Sequence, residues 1–280
     1  MLTDEEIRNF QFLVNEYYRA HARSFPWRET RDPYAIWVSE IMLQQTQTVR
    51  VVEKYLNFMR LFPTVQDLAA APLDKVLLAW QGLGYNKRAL SLHRSAKIVS
   101  VELRGIVPED DVLLRGLPGI GPYTAAAIRA FAFDRPDVFI ETNIRRVFIH
   151  HFFSGHDKVA DSELMPLVAS TLDKADPRTW YYALMDYGAD LPKRVANPNR
   201  RSAQYTRQSR FEGSTRQVRG LALSYLAQGG KLTAAELARR SKRDKAEALD
   251  VLESLYRDGF LVCDGNAYKL TDGSSYSTKF

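Results

Sequence analysis

Cysteine is nearly absent from this sequence of 280 residues, which contains only Cys263. One thiol excludes an internal disulfide, a four-cysteine zinc site and an iron–sulfur cluster held by four cysteines. Long apolar runs are also missing, since none approaches the roughly 18 residues of a membrane span. The first ten residues, MLTDEEIRNF, lack the basic-then-apolar pattern of a secretion signal. We therefore expect a soluble cytoplasmic protein, of the bacterial or archaeal cytosol or nucleoid, that does not bind a membrane.

Positive charge is concentrated in one short stretch. The chain has 39 Lys and Arg residues against 33 Asp and Glu, a net charge of +6. Residues 193–219 hold eight cationic side chains against one acidic side chain, Glu212, which gives this stretch a net charge of +7. Charge runs are often solvated linkers. Because Tyr205 and Phe211 lie between the arginines, we favour a strap at 193–214 that binds nucleic acid through Arg200, Arg201 and Arg207.

Helical patterns fill residues 1–192 and predict an all-α domain. Thr3 with Glu6 forms a capping signal, and Asp32-Pro33 is typical of a helix start. The tail, 215–280, instead predicts three helices followed by a β-hairpin turned at 264–266, which is the order of a small winged-helix domain. Its third helix, about 245–257, either contacts DNA or packs against protein, and its many acidic residues leave both interpretations open.

The stretch LPGIGPYT at 117–124 predicts a hairpin between two helices. Gly119 and Gly121 permit a tight turn, and Pro122 suits the first position of a helix. Backbone N–H groups at such a helix start form a seat for one phosphate of a nucleic acid.

Several ordered motifs together carry a family resemblance. They are FPWR at 25–28, DPY at 32–34, SEIMLQQTQ at 39–47, GLGY at 82–85, the hairpin with Tyr123, and IETNIRRV at 140–147. With them the chain resembles the helix-hairpin-helix (HhH-GPD) DNA glycosylase superfamily, and within it the MutY-like adenine DNA glycosylase branch. The resemblance covers about 24–190 and implies the two-lobed helix-hairpin-helix glycosylase fold for residues 1–192.

Two carboxylates suit the cleavage of an N-glycosidic bond, which needs an acid for the leaving base and an anion for the oxocarbenium-like sugar. Glu40 lies in an apolar helix beside Ile41, where burial favours the protonated form, and the resemblance gives it the role of the acid. Its alternative is an ordinary surface glutamate. Glu141 stands where the family has its catalytic aspartate. We expect Thr142 to cap the following helix and to leave Glu141 free for the sugar, the alternative being that Glu141 only pairs with nearby arginines.

The resemblance implies roles for further residues. Tyr123 replaces the lysine of bifunctional relatives, so no Schiff base and no strand cleavage are expected. Asn143 is expected to support Glu141. Arg28, Leu43 and Gln45 are assigned to the base pocket and the gap that a flipped base leaves, and Tyr85 to intercalation. Contacts with the DNA backbone are expected from Gln44, Thr46, Gly119, Gly121, Thr124, Lys87 and Arg88. The alternative for Tyr123 and Leu43 is that they only pack in the protein interior. The alternative for the basic helix that starts near Lys87 is that its charged face is only solvated.

These interpretations predict a monofunctional DNA glycosylase of base excision repair that removes adenine or an adenine derivative and leaves an abasic site. Its partner is double-stranded DNA with a lesion or mismatch, and it is expected to be a monomer. Alternatives are a T:G or U:G mismatch glycosylase and a catalytically weak lesion-binding protein. No cofactor and no iron–sulfur cluster are expected, although a monovalent cation could bind the hairpin carbonyls. No metal is expected at His150 and His151, because neighbouring helical side chains point about 100° apart.

Overall fold

The computed structural model describes residues 2–206 and 210–271, and these are mostly helical. The helices are α1 (Asp4–His21), α2 (Pro33–Leu43), α3 (Thr48–Leu61), α4 (Val65–Ala70), α5 (Leu73–Trp80), α6 (Lys87–Val101), α7 (Asp111–Gly116), α8 (Pro122–Phe133), α9 (Thr142–Phe152), α10 (Asp161–Thr171), α11 (Pro177–Asp190), α12 (Thr215–Leu226), α13 (Ala234–Ser241) and α14 (Lys245–Arg257). Short 3₁₀ turns occur at Pro26–Arg28, Leu191–Lys193 and Pro198–Arg201. In the described ranges, no helix is long and apolar enough to cross a membrane.

The predicted helix starts are present. Thr3 accepts a hydrogen bond from the backbone N–H of Glu6, whose carboxylate accepts one from the N–H of Thr3. The carboxylate of Asp32 accepts from the backbone N–H groups of Tyr34 and Ala35, at 3.1 and 3.2 Å. Each cap satisfies N–H groups that a helix start leaves without an intrahelical partner.

The structure divides into two compact units, and the first contains the described parts of 1–36, 109–111 and 120–208. Its core packs α9 against α11 and α1 against α11. Gly188 allows the close approach of α11 to α9, because a Cβ at this position would lie 2.2 Å from the backbone oxygen of Asn143. Stacked aromatic pairs, Phe131 with Tyr182 and Phe139 with Tyr181, fill the interior next to α8.

The second unit contains the described parts of 37–108, 112–119 and 209–280, and α4 packs against α6 within it. Near its end, α12 to α14 are followed by two antiparallel strands, β1 (Leu261–Asp264) and β2 (Ala267–Leu270). We call these five elements, 215–270, the C-terminal module. Leu252, Leu255 and Phe260 are buried in it. The all-α fold followed by three helices and a hairpin is therefore confirmed, while the boundaries at 192 and 214 stay predictions.

Candidate active site and nucleic-acid interface

Glu141 is the N-cap of α9. Its Oε1 accepts hydrogen bonds from the backbone N–H groups of Asn143 and Ile144, at 2.6 and 2.8 Å. Its Oε2 accepts a third bond from the side-chain amide of Asn143, at 3.2 Å. The expected support of Glu141 by Asn143 is therefore present, and the carboxylate is held in one position.

The prediction that Thr142 caps α9 and leaves Glu141 free is wrong. Thr142 is the first residue of α9 and is exposed, whereas the side chain of Glu141 makes the capping bonds. The extended backbone of Glu141, with φ −117° and ψ −179°, lets the longer side chain fold back over the first turn. One carboxylate thus caps the helix and presents a fixed negative charge, which the helix dipole stabilises.

The two arginines that follow Glu141 are bound to other groups. Arg145 forms a bidentate ion pair with Asp161, at 2.6 and 2.7 Å. Arg146 donates to the side chain of Asn143 at 2.9 Å and to the backbone oxygen of Gly188. These contacts do not support the alternative in which Glu141 serves only as an ion-pair partner.

The environment of Glu141 shifts its proton affinity. Burial raises the pKa of Glu141 above its ordinary value. Hydrogen bonds from the N–H groups of Ile144 and Asn143 and the charges of Arg146 and Arg145 act in the opposite direction without cancelling that effect. The carboxyl therefore takes up a proton at a higher pH than an exposed glutamate does.

Tyr123 lies in the first turn of α8, after Gly121 and Pro122. It is half-buried, and its ring packs edge-to-face on Phe139, with 5.6 Å between ring centroids. Phe139 is two residues before Glu141 in the chain. The ring of Tyr123 therefore has a packing role, as the alternative interpretation predicts. The hydroxyl remains a candidate for a role at the sugar, as predicted.

The backbone of the hairpin explains its glycines. Gly119 has φ +83°, and a Cβ there would lie 2.7 Å from the Cβ of Ser91. The Pro118 backbone oxygen accepts a bond from the hydroxyl of Ser95, at 2.8 Å. Gly121 is the N-cap of α8 and provides no side-chain cap. Such a helix start suits a bound anion.

Glu40 belongs to the second unit and lies in the interior of α2. Its residue is only 6% exposed, and Trp37 and Ile41 on the same helix are buried as well. The surface-glutamate alternative is therefore wrong. The burial that the sequence predicts for Glu40 is therefore present, and its role as the acid stays a prediction.

The last residue of α2 and the turn after it carry four predicted contact residues. Leu43 ends the helix and is half-buried rather than part of the core, and Gln45 is exposed with φ +55°. The hydroxyl of Thr46 donates to the backbone oxygen of Gln44, at 3.2 Å. A left-handed, exposed Gln45 next to a half-buried Leu43 is suitable for contact with a base, and the structure brings the two predicted residues together.

Arg88 was predicted to bind the DNA backbone, and this prediction needs correction. Its guanidinium donates to the backbone oxygens of Ile41 and Met42, at 2.9 and 3.0 Å, and to that of Gln44. It also donates to the backbone oxygens of Leu83 and Gly84, at 3.1 Å each. Burial lowers the pKa of Arg88 to about 10. Arg88 therefore joins two loops from within the protein instead of facing a phosphate.

Tyr85 lies on the second of these loops. The loop 82–86 follows α5 and has positive φ angles at Gly82, Gly84 and Tyr85. The indole of Trp80 donates to the backbone oxygen of Gly84, at 3.1 Å. Tyr85 itself is 37% exposed. A rigid loop thus presents an exposed aromatic side chain, which is the geometry that stacking on a base requires.

The basic side of α6 is also engaged within the protein, contrary to prediction. Lys87 pairs with Asp258 at 3.1 Å, and Arg94 donates to the backbone oxygen of Gly259, at 3.3 Å. His93 is buried with its Nε2 2.9 Å from the backbone oxygen of Ala71. Burial lowers the pKa of His93 to about 4, so this side chain is neutral. The end of α14 therefore occupies part of the side predicted to face DNA.

Arg28 forms a buried ion pair that the sequence reasoning missed. Its Nη1 and Nη2 donate to the two carboxylate oxygens of Asp186, at 2.9 and 2.8 Å, and its guanidinium lies 4.3 Å from the ring centroid of Tyr182. Arg23 also contacts Asp186, at 2.7 Å. The Nε of Arg28 has no hydrogen-bond partner among the described residues. The base-pocket role of Arg28 stays a prediction. In the sequence, only the position of an acidic residue within a buried helix pointed to Asp186.

The Arg-rich strap is ordered where it is described. The guanidinium of Arg201 donates to the backbone oxygens of Phe153 and Ile149 at the end of α9, so Arg201 caps a helix instead of facing a phosphate. Asn199 donates to the backbone oxygen of Thr142, at 2.8 Å. Arg200 is exposed and available, whereas Arg207 lies outside the described residues. Among the residues that the structure describes, no group of three or more His, Cys, Asp or Glu side chains could hold a metal ion.

Known proteins are similar to this chain in sequence. Residues 38–168 match the HhH-GPD superfamily of base excision DNA repair proteins. An adenine DNA glycosylase of Mycobacterium tuberculosis H37Rv is 34% identical, with 89% of each chain covered. One of Buchnera aphidicola from Baizongia pistaciae is 35% identical over 64% of this chain, which spans only 52% of that relative.

A solved structure is similar as well. The structure of a thermostable thymine-DNA glycosylase aligns with a TM-score of 0.59 and 27% identity, covering 66% of this chain and 87% of that one. The chain therefore belongs to the HhH-GPD superfamily of base excision DNA repair proteins and, within it, to the adenine DNA glycosylase family.

Proposed function

We propose that this protein is a monofunctional DNA glycosylase that removes adenine or an adenine derivative from a mispaired or damaged site in double-stranded DNA. The observation that carries the proposal is the carboxylate of Glu141, which three hydrogen bonds fix at the start of α9. A fixed charge of this kind can stabilise a cationic sugar without rearrangement during the reaction.

The chemical step uses the two carboxyl groups differently. Glu40 donates its proton to the leaving base as the C1′–N bond breaks and the bonding electrons pass to the base. The negative charge of Glu141 stabilises the oxocarbenium-like sugar. A water molecule then adds to C1′ and gives up a proton, which restores Glu40. The products are the free base and an abasic site.

Tyr123 limits the reaction to base removal. A phenol has no amine to form a Schiff base with C1′, so the sugar–phosphate backbone stays intact. Its hydroxyl is proposed to bind near the sugar. A matching prediction is that borohydride traps no covalent complex between the enzyme and DNA.

Several groups are proposed to bind the distorted duplex. Tyr85 and Gln45 enter the base stack, with Leu43 next to the flipped base, and these contacts offset the few kcal/mol that flipping costs. The N-terminus of α8, after Gly121, binds one phosphate. Exposed Arg200 adds a second backbone contact.

Single-turnover excision tests the proposal. The full-length protein is incubated with duplexes carrying A:8-oxoguanine, A:G, N6-methyladenine, hypoxanthine, uracil and T:G, and alkali is added afterwards to cleave abasic sites. We expect strand breaks only after alkali and on an adenine-type substrate, and we expect none with Glu40→Gln. Cleavage without alkali, or binding of every duplex without any excision, would contradict the proposal.

A second candidate substrate is thymine opposite guanine. The similar solved structure is that of a thymine-DNA glycosylase, although the sequence relatives are adenine DNA glycosylases. Because both reactions suit the same pair of carboxyl groups, the substrate panel decides between them. Excision from T:G and uracil duplexes alone would favour this candidate.

A further inference from the structure

The C-terminal module packs against the segment that carries Tyr85. The side-chain amide of Gln81, directly before the loop 82–86, donates to the hydroxyl of Ser224 in α12, at 3.1 Å. On the other side of the loop, Lys87 pairs with Asp258 at the end of α14. Arg219 of α12 fixes the same carboxylate, at 2.7 Å. The module therefore holds both ends of the loop.

One residue of the module reaches Tyr85 itself. Arg216, in the first turn of α12, donates from Nη1 to the Tyr85 hydroxyl, at 2.9 Å. Its guanidinium carbon lies 5.8 Å from the centroid of the Tyr85 ring, and that of Arg88 lies 5.5 Å from the same centroid. The Tyr85 ring therefore has two arginines as neighbours, the half-buried Arg88 and Arg216 from the module.

The position of Arg216 is fixed by its own surroundings. Its Nη2 lies 3.5 Å from the backbone oxygen of Arg210. The side chain of Gln217 accepts from the backbone N–H of Gly213, at 2.8 Å, and Arg243 donates to the backbone oxygen of Gly213. The backbone at the start of α12 is therefore tied to the preceding loop and to Arg243, two residues before α14. The Arg216 side chain itself is held by its contacts with Tyr85 and Arg210.

From these contacts we propose that Arg216 is a positioning residue for Tyr85, through which the C-terminal module takes part in recognising DNA. This inference rests on the proposed function, in which Tyr85 stacks on a base. Holding an aromatic side chain in its bound orientation before contact removes part of the ordering cost of binding. Contact of the Arg216 cation with the electron-rich ring stabilises the same orientation.

The charges of the module favour recognition through Arg216 and Tyr85 over recognition by its third helix, α14. The N-cap Asp244 and the exposed Glu247, Asp250 and Glu253 of α14 outnumber the exposed Lys245 and Arg257 of that helix, so the net charge there repels phosphate. The start of α12 instead presents Arg216, close to Arg210. The module thus lacks the basic third helix of a groove-reading winged helix, and its contact with Tyr85 gives it another part in recognition.

A double-mutant cycle tests the proposal through binding, which does not require excision. Dissociation constants are measured for a duplex with an uncleavable abasic analogue and for an undamaged duplex, with wild type, Arg216→Ala, Tyr85→Phe and the double variant. We expect Arg216→Ala and Tyr85→Phe each to weaken binding of the analogue duplex by about 10-fold, the order expected for one charge-assisted hydrogen bond. Binding of the undamaged duplex should change little, and the double variant should be no worse than Tyr85→Phe.

Two controls separate positioning from other roles. Arg240→Ala removes a cation that lies 4.0 Å from the ring centroid of Tyr225 in the same module, and we expect it to leave both constants unchanged. Arg216→Lys keeps the charge. It should recover part of the preference for the analogue duplex over the undamaged duplex that Arg216→Ala loses. Equal weakening of both duplexes by Arg216→Ala, persisting in the Tyr85→Phe background, would identify a direct phosphate contact and overturn the proposal. Failure of wild type to excise any base would overturn the proposed function but not this cycle.

Discussion

Glu141 and Asn143 bind each other twice at the start of α9. The backbone N–H of Asn143 donates to Oε1 of Glu141, and its side-chain amide donates to Oε2. Gly188 lies directly against the backbone of Asn143, where a larger residue would not fit. The packing of α11 therefore fixes Asn143, and Asn143 fixes the orientation of the carboxylate that we propose for sugar stabilisation.

The first prediction concerns the charge of Glu141. We expect Glu141→Gln to lower single-turnover excision by about 10²–10³-fold, because the amide can still accept hydrogen bonds but cannot stabilise a cationic sugar. DNA binding should be retained. The same change at another N-cap, Asp176→Asn in α11, is the matched control, since Asp176 accepts from the N–H of Thr179 at 3.1 Å. Excision at the wild-type rate by Glu141→Gln would remove this residue from the mechanism.

The second prediction concerns pH. Burial raises the pKa of Glu141, so the active carboxylate is lost at a higher pH than for an exposed glutamate, and excision falls on the acid side accordingly. Arg146 lowers this pKa by its charge. Arg146→Gln should therefore move the acid limb of the rate profile to still higher pH, whereas Arg146→Lys, which keeps the charge, should move it less. An acid limb that stays in place in Arg146→Gln would assign it to another group.

The sequence was sufficient to predict the fold and the burial of Glu40, because helix caps, the hairpin glycines and an apolar helix are local patterns. It did not predict which groups engage the basic side chains. Arg88 binds the backbone oxygen of Met42, 46 residues away, and Arg28 binds Asp186, which is 158 residues away. Such partners depend on tertiary packing. The cap at Glu141 was missed for another reason, since average capping preferences favour Thr142 and ignore a carboxylate that folds back on its own helix.

The third prediction concerns Arg88 as the link between the two contact loops. A lysine cannot reproduce the planar set of donors that reaches Ile41, Met42 and Leu83, so we expect Arg88→Lys to lower the free energy of unfolding by about 1–3 kcal/mol. Amide hydrogen exchange in 41–46 and 82–86 should accelerate together. Arg60→Lys on α3 serves as the control, because within the part of the chain that the structure describes its guanidinium bonds only to nearby Asn57. Acceleration confined to one loop would show that Arg88 does not couple them.

The fourth prediction concerns the ion pair of Asp186. Burial raises the pKa of this carboxyl, but the hydrogen bonds and charges of Arg28 and Arg23 outweigh it, and the net pKa lies below its ordinary value of 3.8. Removing the charge with Asp186→Asn leaves Arg28 buried without its counter-ion, which we expect to cost about 3–5 kcal/mol at neutral pH.

The pH dependence of this loss identifies its cause. A carboxyl whose pKa is lowered by folding stabilises the protein above its unfolded pKa and loses that contribution as the pH falls through the folded one. Urea unfolding of wild type and Asp186→Asn should therefore give a constant difference at neutral pH that shrinks below about pH 4. Because the asparagine variant cannot titrate at this position, its own stability should depend less on pH in that range. A difference that stays constant down to the acid transition would mean that the aspartate contributes through its shape and hydrogen bonds rather than through its charge.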